Sequence, residues 1–320
     1  MFKPFLHDWL SNATGIPENE LTRTRLEAYQ LELLKRQITF AKAKSPFYAT
    51  HFAGYNPESL NSLADFVNWP QTTPFDLKDH GNDFLCTSQR EVWRIISLQT
   101  SGTTGLPKKL FFSENDLYNT VKYFHYSLKV LAKDCKNLMV LMPGNIPGSV
   151  GDILRQALDN LPTNCHQFGI VTDFAQTLDY IKANAIDFII GIPAQVLSLC
   201  RYSARHGGLS QIKAVLFGAD YISPFCAETV AKLWNCRIIK HYGPTESALG
   251  AAVNCPRFTG CHIREAELYF EVVNPITKQS LPDNEIGEIV SSTLNHEAIA
   301  LLPYNTSGQG AGRHRPIHCG

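Results

Sequence analysis

Thr100-Ser101-Gly102-Thr103-Thr104-Gly105-Leu106-Pro107-Lys108 packs four hydroxyl residues, two glycines and a lysine into nine positions. Glycines let a backbone approach a phosphate closely, hydroxyls and free N–H groups donate to its oxygens, and a lysine adds a point charge. The spacing is not that of a Walker A loop, because Pro107 stands where that motif needs its second glycine. The stretch reads as a phosphate loop that follows a strand over 93–98 and precedes a helix over 115–131.

Together with the 93–98 strand, short apolar runs at 138–142, 187–191, 214–218 and 238–243 alternate with helical windows at 115–131, 151–160, 175–183, 194–205 and 224–233. Strands alternating with helices predict an α/β sheet with parallel pairing. Gly191, Gly218 and Gly243 close three of these runs, at the edge where open α/β sheets bind ligands. Upstream, Leu26, Leu33, Leu34 and Ile38 recur at helical spacing until Ser45-Pro46 breaks the pattern. After Ala251 the pattern changes, and 267–273 and 287–292 read as antiparallel strands with turn signals at Asn274-Pro275 and Pro282-Asp283-Asn284. The expected division is a helical segment over 1–88, an α/β nucleotide-binding core over 89–250 and a smaller β subdomain over 251–320.

Composition narrows the function classes. Lys+Arg and Asp+Glu both number 29 in 320 residues, a zero net charge that argues against a nucleic-acid partner held by bulk charge. No apolar run approaches the roughly 18 residues of a membrane span, and residues 1–8 lack the apolar stretch of a secretory leader. The 9 cysteines are odd in number and scattered, which points to reduced thiols, mostly core, in a cytoplasmic protein rather than to a disulfide framework.

Three segments carry a resemblance. The 100–108 stretch resembles the phosphate loop of the adenylate-forming enzymes, the superfamily of acyl-CoA synthetases, luciferases and peptide-synthetase adenylation domains. His241-Tyr242-Gly243-Pro244-Thr245-Glu246 is similar to that superfamily's Tyr-Gly-x-Thr-Glu motif. Phe217-Gly218-Ala219-Asp220 is similar to its adenine-binding turn, with Asp220 where glutamate is commoner. Ser45-Pro46-Phe47-Tyr48, the 70–77 segment, Glu271-Val272-Val273-Asn274-Pro275 and the 287–294 segment resemble the phenylacetate-CoA ligase branch.

The resemblance implies an α/β fold: the N-terminal domain of an adenylate-forming enzyme, with parallel-rich sheets flanked by helices and a smaller C-terminal β subdomain. It implies that a carboxylate and ATP give an acyl-adenylate and pyrophosphate, and that the acyl group then passes to CoA. Thr100, Ser101, Gly102, Thr103, Thr104 and Gly105 would embrace the β- and γ-phosphates, with Lys108 adding charge. Thr245 would contact the α-phosphate and Glu246 would hold Mg²⁺. Gly218, Ala219, Asp220, His241, Tyr242 and Gly243 would line the nucleotide site, and the acid, aromatic or aryl-acetic, would enter near residues 123–126, Gly218 and His241. On residue type alone, Phe124, His125 and Tyr126 also read as core.

Two departures stand against this pattern. Pro303-Tyr304-Asn305-Thr306-Ser307-Gly308-Gln309 occupies the place of the superfamily's Arg-Tyr-x-Thr-Gly-Asp segment, whose Asp binds the ribose of ATP. Gly308 or Gln309 stands where the Asp would be, and Gln309 is taken as the ribose-facing residue; losing a charge-assisted pair there costs about 1–3 kcal/mol. The small lid domain that supplies the superfamily's catalytic lysine is not in the sequence. The open readings are a fragment, a lid from a separate chain, or a non-catalytic nucleotide-binding domain; a homodimer is implied by resemblance alone. Finally, Cys255, Cys261, His262, His314, His318 and Cys319 gather late in the chain. Cysteine and histidine favour tetrahedral zinc, so a structural Zn²⁺ on Cys255, His262 and Cys319, with His318 or Cys261 as the fourth ligand, stands beside the reading of unrelated surface histidines and core cysteines.

Overall fold

In chain order the elements are α1 (His7–Thr14), α2 (Arg23–Lys44), α3 (Pro46–His51), α4 (Pro74–Asp79), β1 (Arg94–Leu98), β2 (Lys108–Phe112), α5 (Glu114–Leu131), β3 (Asn137–Leu141), α6 (Val150–Leu158), β4 (Asn164–Gln167), α7 (Phe174–Ala183), β5 (Phe188–Gly191), α8 (Pro193–Arg205), β6 (Ala214–Phe217), α9 (Pro224–Trp234) and β7 (Arg237–Tyr242). They continue with β8 (Ala252–Asn254), β9 (Cys261–Ile263), β10 (Leu268–Val273), β11 (Ile286–Thr293) and β12 (Tyr304–Ala311). The computed structural model describes residues 5–98, 107–255 and 260–312. Two compact units are drawn from interleaved stretches: Met1–Asp116, Thr245–Ser247 and Arg264–Gly320 form one, and Leu117–Pro244 and Ala248–Ile263 the other. No helix among the described residues is long and apolar enough to cross a membrane.

The second unit is built on a seven-stranded sheet in the order β4-β3-β5-β6-β7-β8-β9. The first five strands of that order pair in parallel, and β7-β8 and β8-β9 pair antiparallel. β5 and β6 are buried along their whole length, as parallel strands covered on both faces must be, which is why they read as unbroken apolar runs. Met139, Leu141, Ile189, Val215 and Phe217 join Ile181, Val196, Leu199, Val230 and Trp234 of α7, α8 and α9 in one apolar core. Cys200, Cys226 and Cys236 belong to the same core, and burial pushes the Cys200 and Cys236 thiols up to about 12. These are inert core thiols, as the scattered cysteines imply.

The sequence reading errs at two places here. The 93–98 strand is real but lies outside the parallel sheet: β1 pairs antiparallel with β2, from Arg94 opposite Phe112 to Leu98 opposite Lys108. The 100–105 stretch therefore leads into a strand, β2, and not directly into a helix. β1 alternates between half-buried and exposed positions, the mark of a two-sided ribbon rather than a buried parallel strand. The strand that does complete the sheet, β4, is Asn-Cys-His-Gln, an edge strand too short and polar to announce itself.

The first unit places α2 beside a three-stranded antiparallel sheet, β10-β11-β12. Thr22 caps α2 by accepting from Arg25 N, and Ser45 both ends α2 and caps α3 by accepting from Tyr48 N. Leu26, Leu34, Ile38 and Ala41 are fully buried on one face of α2. The buried amides on this helix are satisfied: Gln30 donates to Glu265 O at 2.8 Å and Gln37 to His296 O at 2.7 Å.

Glu271 on β10 is 7% exposed, and its Oε1 has no hydrogen-bond partner among the described residues. Burial pushes its carboxyl up to about 8, well above the ordinary 4.5. The folded protein therefore holds Glu271 neutral at pH 7, where the unfolded chain ionises it. A raised folded value contributes stability that is complete below about pH 4.5 and is lost as pH rises through 8. Glu271→Gln keeps the shape without the charge. Thermal unfolding is expected to be little changed at pH 5 and to favour the variant by a few kcal/mol at pH 9; equal melting curves at pH 9 would count against this burial.

Candidate functional site

Lys108 opens β2 and is 9% exposed. Glu246 lies in the short 3₁₀ turn Thr245–Ser247. The Lys108 ammonium donates to Oε1 of Glu246, and the side chains of the pair are each 11% exposed. The phenol of Tyr304, the first residue of β12, donates to the same oxygen at 2.9 Å. Three sequence segments thus meet at one carboxylate inside the first unit. Both recorded bonds fall on Oε1, which leaves Oε2 with no recorded partner among the described residues. A carboxylate oxygen presented in this way suits a hard divalent cation, so the residues present fit the implied Mg²⁺. Thr245 is half-buried beside Glu246.

A second group of predicted residues lies in the second unit, at the C-terminal ends of β6 and β7. Gly218 is buried at the end of β6, and a Cβ on it would lie 3.4 Å from His241 Nδ1 and 3.7 Å from Met142 Cε. Ala219 follows with φ of 67°, a left-handed conformation that costs a non-glycine residue on the order of 1 kcal/mol and concentrates at functional turns. Asp220 is exposed, and its Oδ1 accepts from Tyr221 N at 2.7 Å. His241 near the end of β7 stacks obliquely on Phe124 of α5, with centroids 5.2 Å apart. Its Nε2 is shielded from solvent and has no partner among the described residues. Burial pushes the imidazole down to about 4, so at neutral pH His241 offers a hydrogen bond and no charge. Tyr242 is half-buried. A Cβ on Gly243 would meet His241 Cε1 at 2.3 Å and Leu249 O at 2.4 Å, so only glycine fits there. The chain returns through Ala248 and Leu249, both with positive φ, and closes with Ala251 N donating to Tyr242 O at 3.1 Å. Thr120 of α5 holds that return by donating to Ala248 O at 3.0 Å. His125 is occupied elsewhere, paired through Nδ1 with Ala157 O.

Other predicted residues are placed differently. Gln309 is exposed and pairs across the sheet with Glu288. Between Gln309 and Asn305 the register shifts: Asn305 faces Val290, so Thr306, Ser307 and Gly308 bulge opposite Ile289. Gln309 shares the face of its partner Glu288 and of Asn305, whereas Tyr304, the neighbour of Asn305 in the strand, takes the other face and reaches Glu246. Gln309 is therefore not brought to the Lys108–Glu246–Tyr304 group. Thr100, Ser101, Gly102, Thr103, Thr104 and Gly105 lie outside the described residues, as do His314, His318 and Cys319. Among the described residues no group of three or more His, Cys, Asp or Glu is placed to hold a metal ion. Cys255 is buried and Cys261 exposed, on a short hairpin with half-buried His262. The expected fourth and further ligands, His318 and Cys319, lie outside the described residues, and among the described residues the zinc expectation has no support. Tyr304 is the residue that sequence reasoning missed; it sat in the segment set aside for lacking its arginine and aspartate.

Comparison with known proteins bears on the fold and the family. The model of a family described as AMP-binding enzyme matches residues 94–295. The chain belongs to this family. A phenylacetate-coenzyme A ligase of Pseudomonas putida is 26% identical over 294 residues, covering 88% of this chain and 65% of that protein. The Escherichia coli (strain K12) enzyme of the same name is 27% identical, covering 93% and 69%. The chain thus spans about two thirds of the length of these relatives. A solved structure of 2-hydroxyisobutyryl-CoA ligase in complex with 2-HIB-AMP and CoA superimposes with a TM-score of 0.79 at 17% identity, covering 94% of this chain and 65% of that one. It shows the fold, and with it the α/β class expected for the N-terminal domain of an adenylate-forming enzyme.

Proposed function

We propose that this chain is the nucleotide-binding part of an AMP-forming acid–CoA ligase acting on an aromatic or aryl-acetic acid in the cytoplasm. The acid's carboxylate attacks the α-phosphorus of ATP and releases pyrophosphate; the acyl group then passes from AMP to the CoA thiol. The observation that carries this reading is the convergence of Lys108, Glu246 and Tyr304 on one carboxylate, which joins the end of the phosphate-loop segment to the Tyr-Gly-x-Thr-Glu segment. Substrate class follows the phenylacetate-coenzyme A ligases among the relatives.

In this reading Lys108 supplies positive charge at the phosphates, and Thr245 donates to the α-phosphate. Bound at Glu246, Mg²⁺ would screen the triphosphate charge. Tyr242 offers a flat ring to the adenine, beside the left-handed turn at Ala219. His241 and Phe124 set a neutral imidazole against an aromatic ring, a pairing that suits an aromatic acid. The protein forms no covalent bond to the substrate; its residues position groups and stabilise charge.

The test is ATP–pyrophosphate exchange with Mg²⁺ and a panel of aryl-acetic, benzoic and short aliphatic acids. Exchange that depends on an aromatic acid is expected. Absence of both exchange and Mg·ATP binding would overturn the proposal. ATP binding without exchange would favour the second reading, a non-catalytic nucleotide-binding domain, for which the absence of an acidic residue from the Thr306–Gly308 bulge speaks.

A further inference from the structure

We infer that Tyr304 is a positioning residue for Glu246. It consumes one lone pair of Oε1 so that the carboxylate presents Oε2 in a fixed direction. A carboxylate oxygen accepts along two lone-pair directions, and here the phenol and the Lys108 ammonium take both on Oε1. Lysine reaches its partner on a flexible four-carbon stem and is a poor guide to orientation. The Tyr304 ring, fully buried, is held far more firmly.

Its support is visible in the backbone. Tyr304 pairs with Ser291 of β11 on one side and bridges to Thr72 on the other. Thr72 N donates to Pro303 O at 2.8 Å and Asn305 N to Thr72 O at 2.9 Å, so the residues flanking Tyr304 are clamped to one carbonyl and one amide. Thr72 is itself fixed: its hydroxyl donates to Leu302 O at 2.8 Å and lies 3.1 Å from Tyr48 Oη, which accepts from Leu302 N at 2.9 Å. Tyr48, Thr72, Leu302 and Tyr304 are all buried. A buried ring on a backbone clamped in this way gives its hydroxyl a defined position. Pro303, which replaces the superfamily's arginine, leaves its carbonyl to this clamp.

The catalytic consequence rests on the proposed function, so the test carries a readout that does not. Tyr304→Phe keeps the ring packing and removes the donor. In urea unfolding, it is expected to lower the folding constant about tenfold with Glu246 present and less than twofold in a Glu246→Ala background. In pyrophosphate exchange, it is expected to lower kcat about tenfold with the KM for the acid changed less than twofold, and to add nothing to Glu246→Ala. Equal unfolding losses in the two backgrounds would overturn the contact. Coupled unfolding with additive kcat losses would overturn the positioning role. A wild-type protein without exchange on any acid fails the proposed function alone, and the unfolding cycle then decides Tyr304.

Discussion

Glu246→Gln is expected to lower acid-dependent pyrophosphate exchange by about 10²–10³-fold, the usual loss when a preorganised charged group is taken from a site where charge develops. The substitution keeps the shape of the side chain and removes its charge. It also strands the Lys108 ammonium, whose recorded partner among the described residues is Glu246. Breaking one side of a largely buried ion pair costs about 3 kcal/mol, because the remaining charge stays desolvated. Lys108→Met should cost a similar amount in the opposite sense, leaving the carboxylate without its cation. The two together should recover part of the loss in stability and none of the activity. Urea unfolding of the single and double variants, alongside exchange rates, checks both halves. Additive losses in stability would mean that the pair does not form.

Gly243→Ala is expected to cost about 2–3 kcal/mol and to abolish measurable exchange. The added methyl would sit 2.3 Å from His241 Cε1 and 2.4 Å from Leu249 O. The imidazole already packs on the Phe124 ring, with its Nδ1 facing Gly218. The carbonyl belongs to a strained return held by Thr120, so the backbone has little room to yield. Gly218→Ala is the control: its nearest contacts at 3.4 Å and 3.7 Å are ordinary packing, and its unfolding midpoint should match wild type. Comparable losses for both glycines would show that the clash is relieved elsewhere.

Much of the architecture was legible in the amino-acid string. Runs such as Phe188-Ile189-Ile190 and Ala214-Val215-Leu216-Phe217 are buried on both faces, so every residue must be apolar, and composition alone marks them as parallel strands. β4 escaped because an edge strand of Asn, Cys, His and Gln has no such constraint. β1 was seen as a strand and assigned to the wrong sheet, since pairing partners are set by distant segments and not by a strand's own residues.

Residue types at the candidate site were equally legible, while their partnerships were not. A lysine at the end of a Gly/Thr loop and a glutamate after Tyr-Gly-Pro-Thr suggest separate errands, one to phosphate and one to a cation. Their bond to each other spans 138 positions, a distance over which no local pattern operates. Gln309 shows the reverse. Counting along the segment made it the stand-in for an aspartate, but along a strand of period two it shares the face of Asn305 and not that of Tyr304.

The sequence by itself determined the class of fold, the strand edges at which Gly218 and Gly243 sit, and the chemistry on offer at each motif. These follow from burial and from residue type, which act locally. Only the tertiary structure decided that Tyr304 joins Lys108 at Glu246, that the half-buried His241 is neutral with its Nε2 shielded, and that no group of three or more metal-ligating side chains gathers among the described residues. Hydrogen bonds, desolvation and coordination depend on what the rest of the chain brings within a few ångströms.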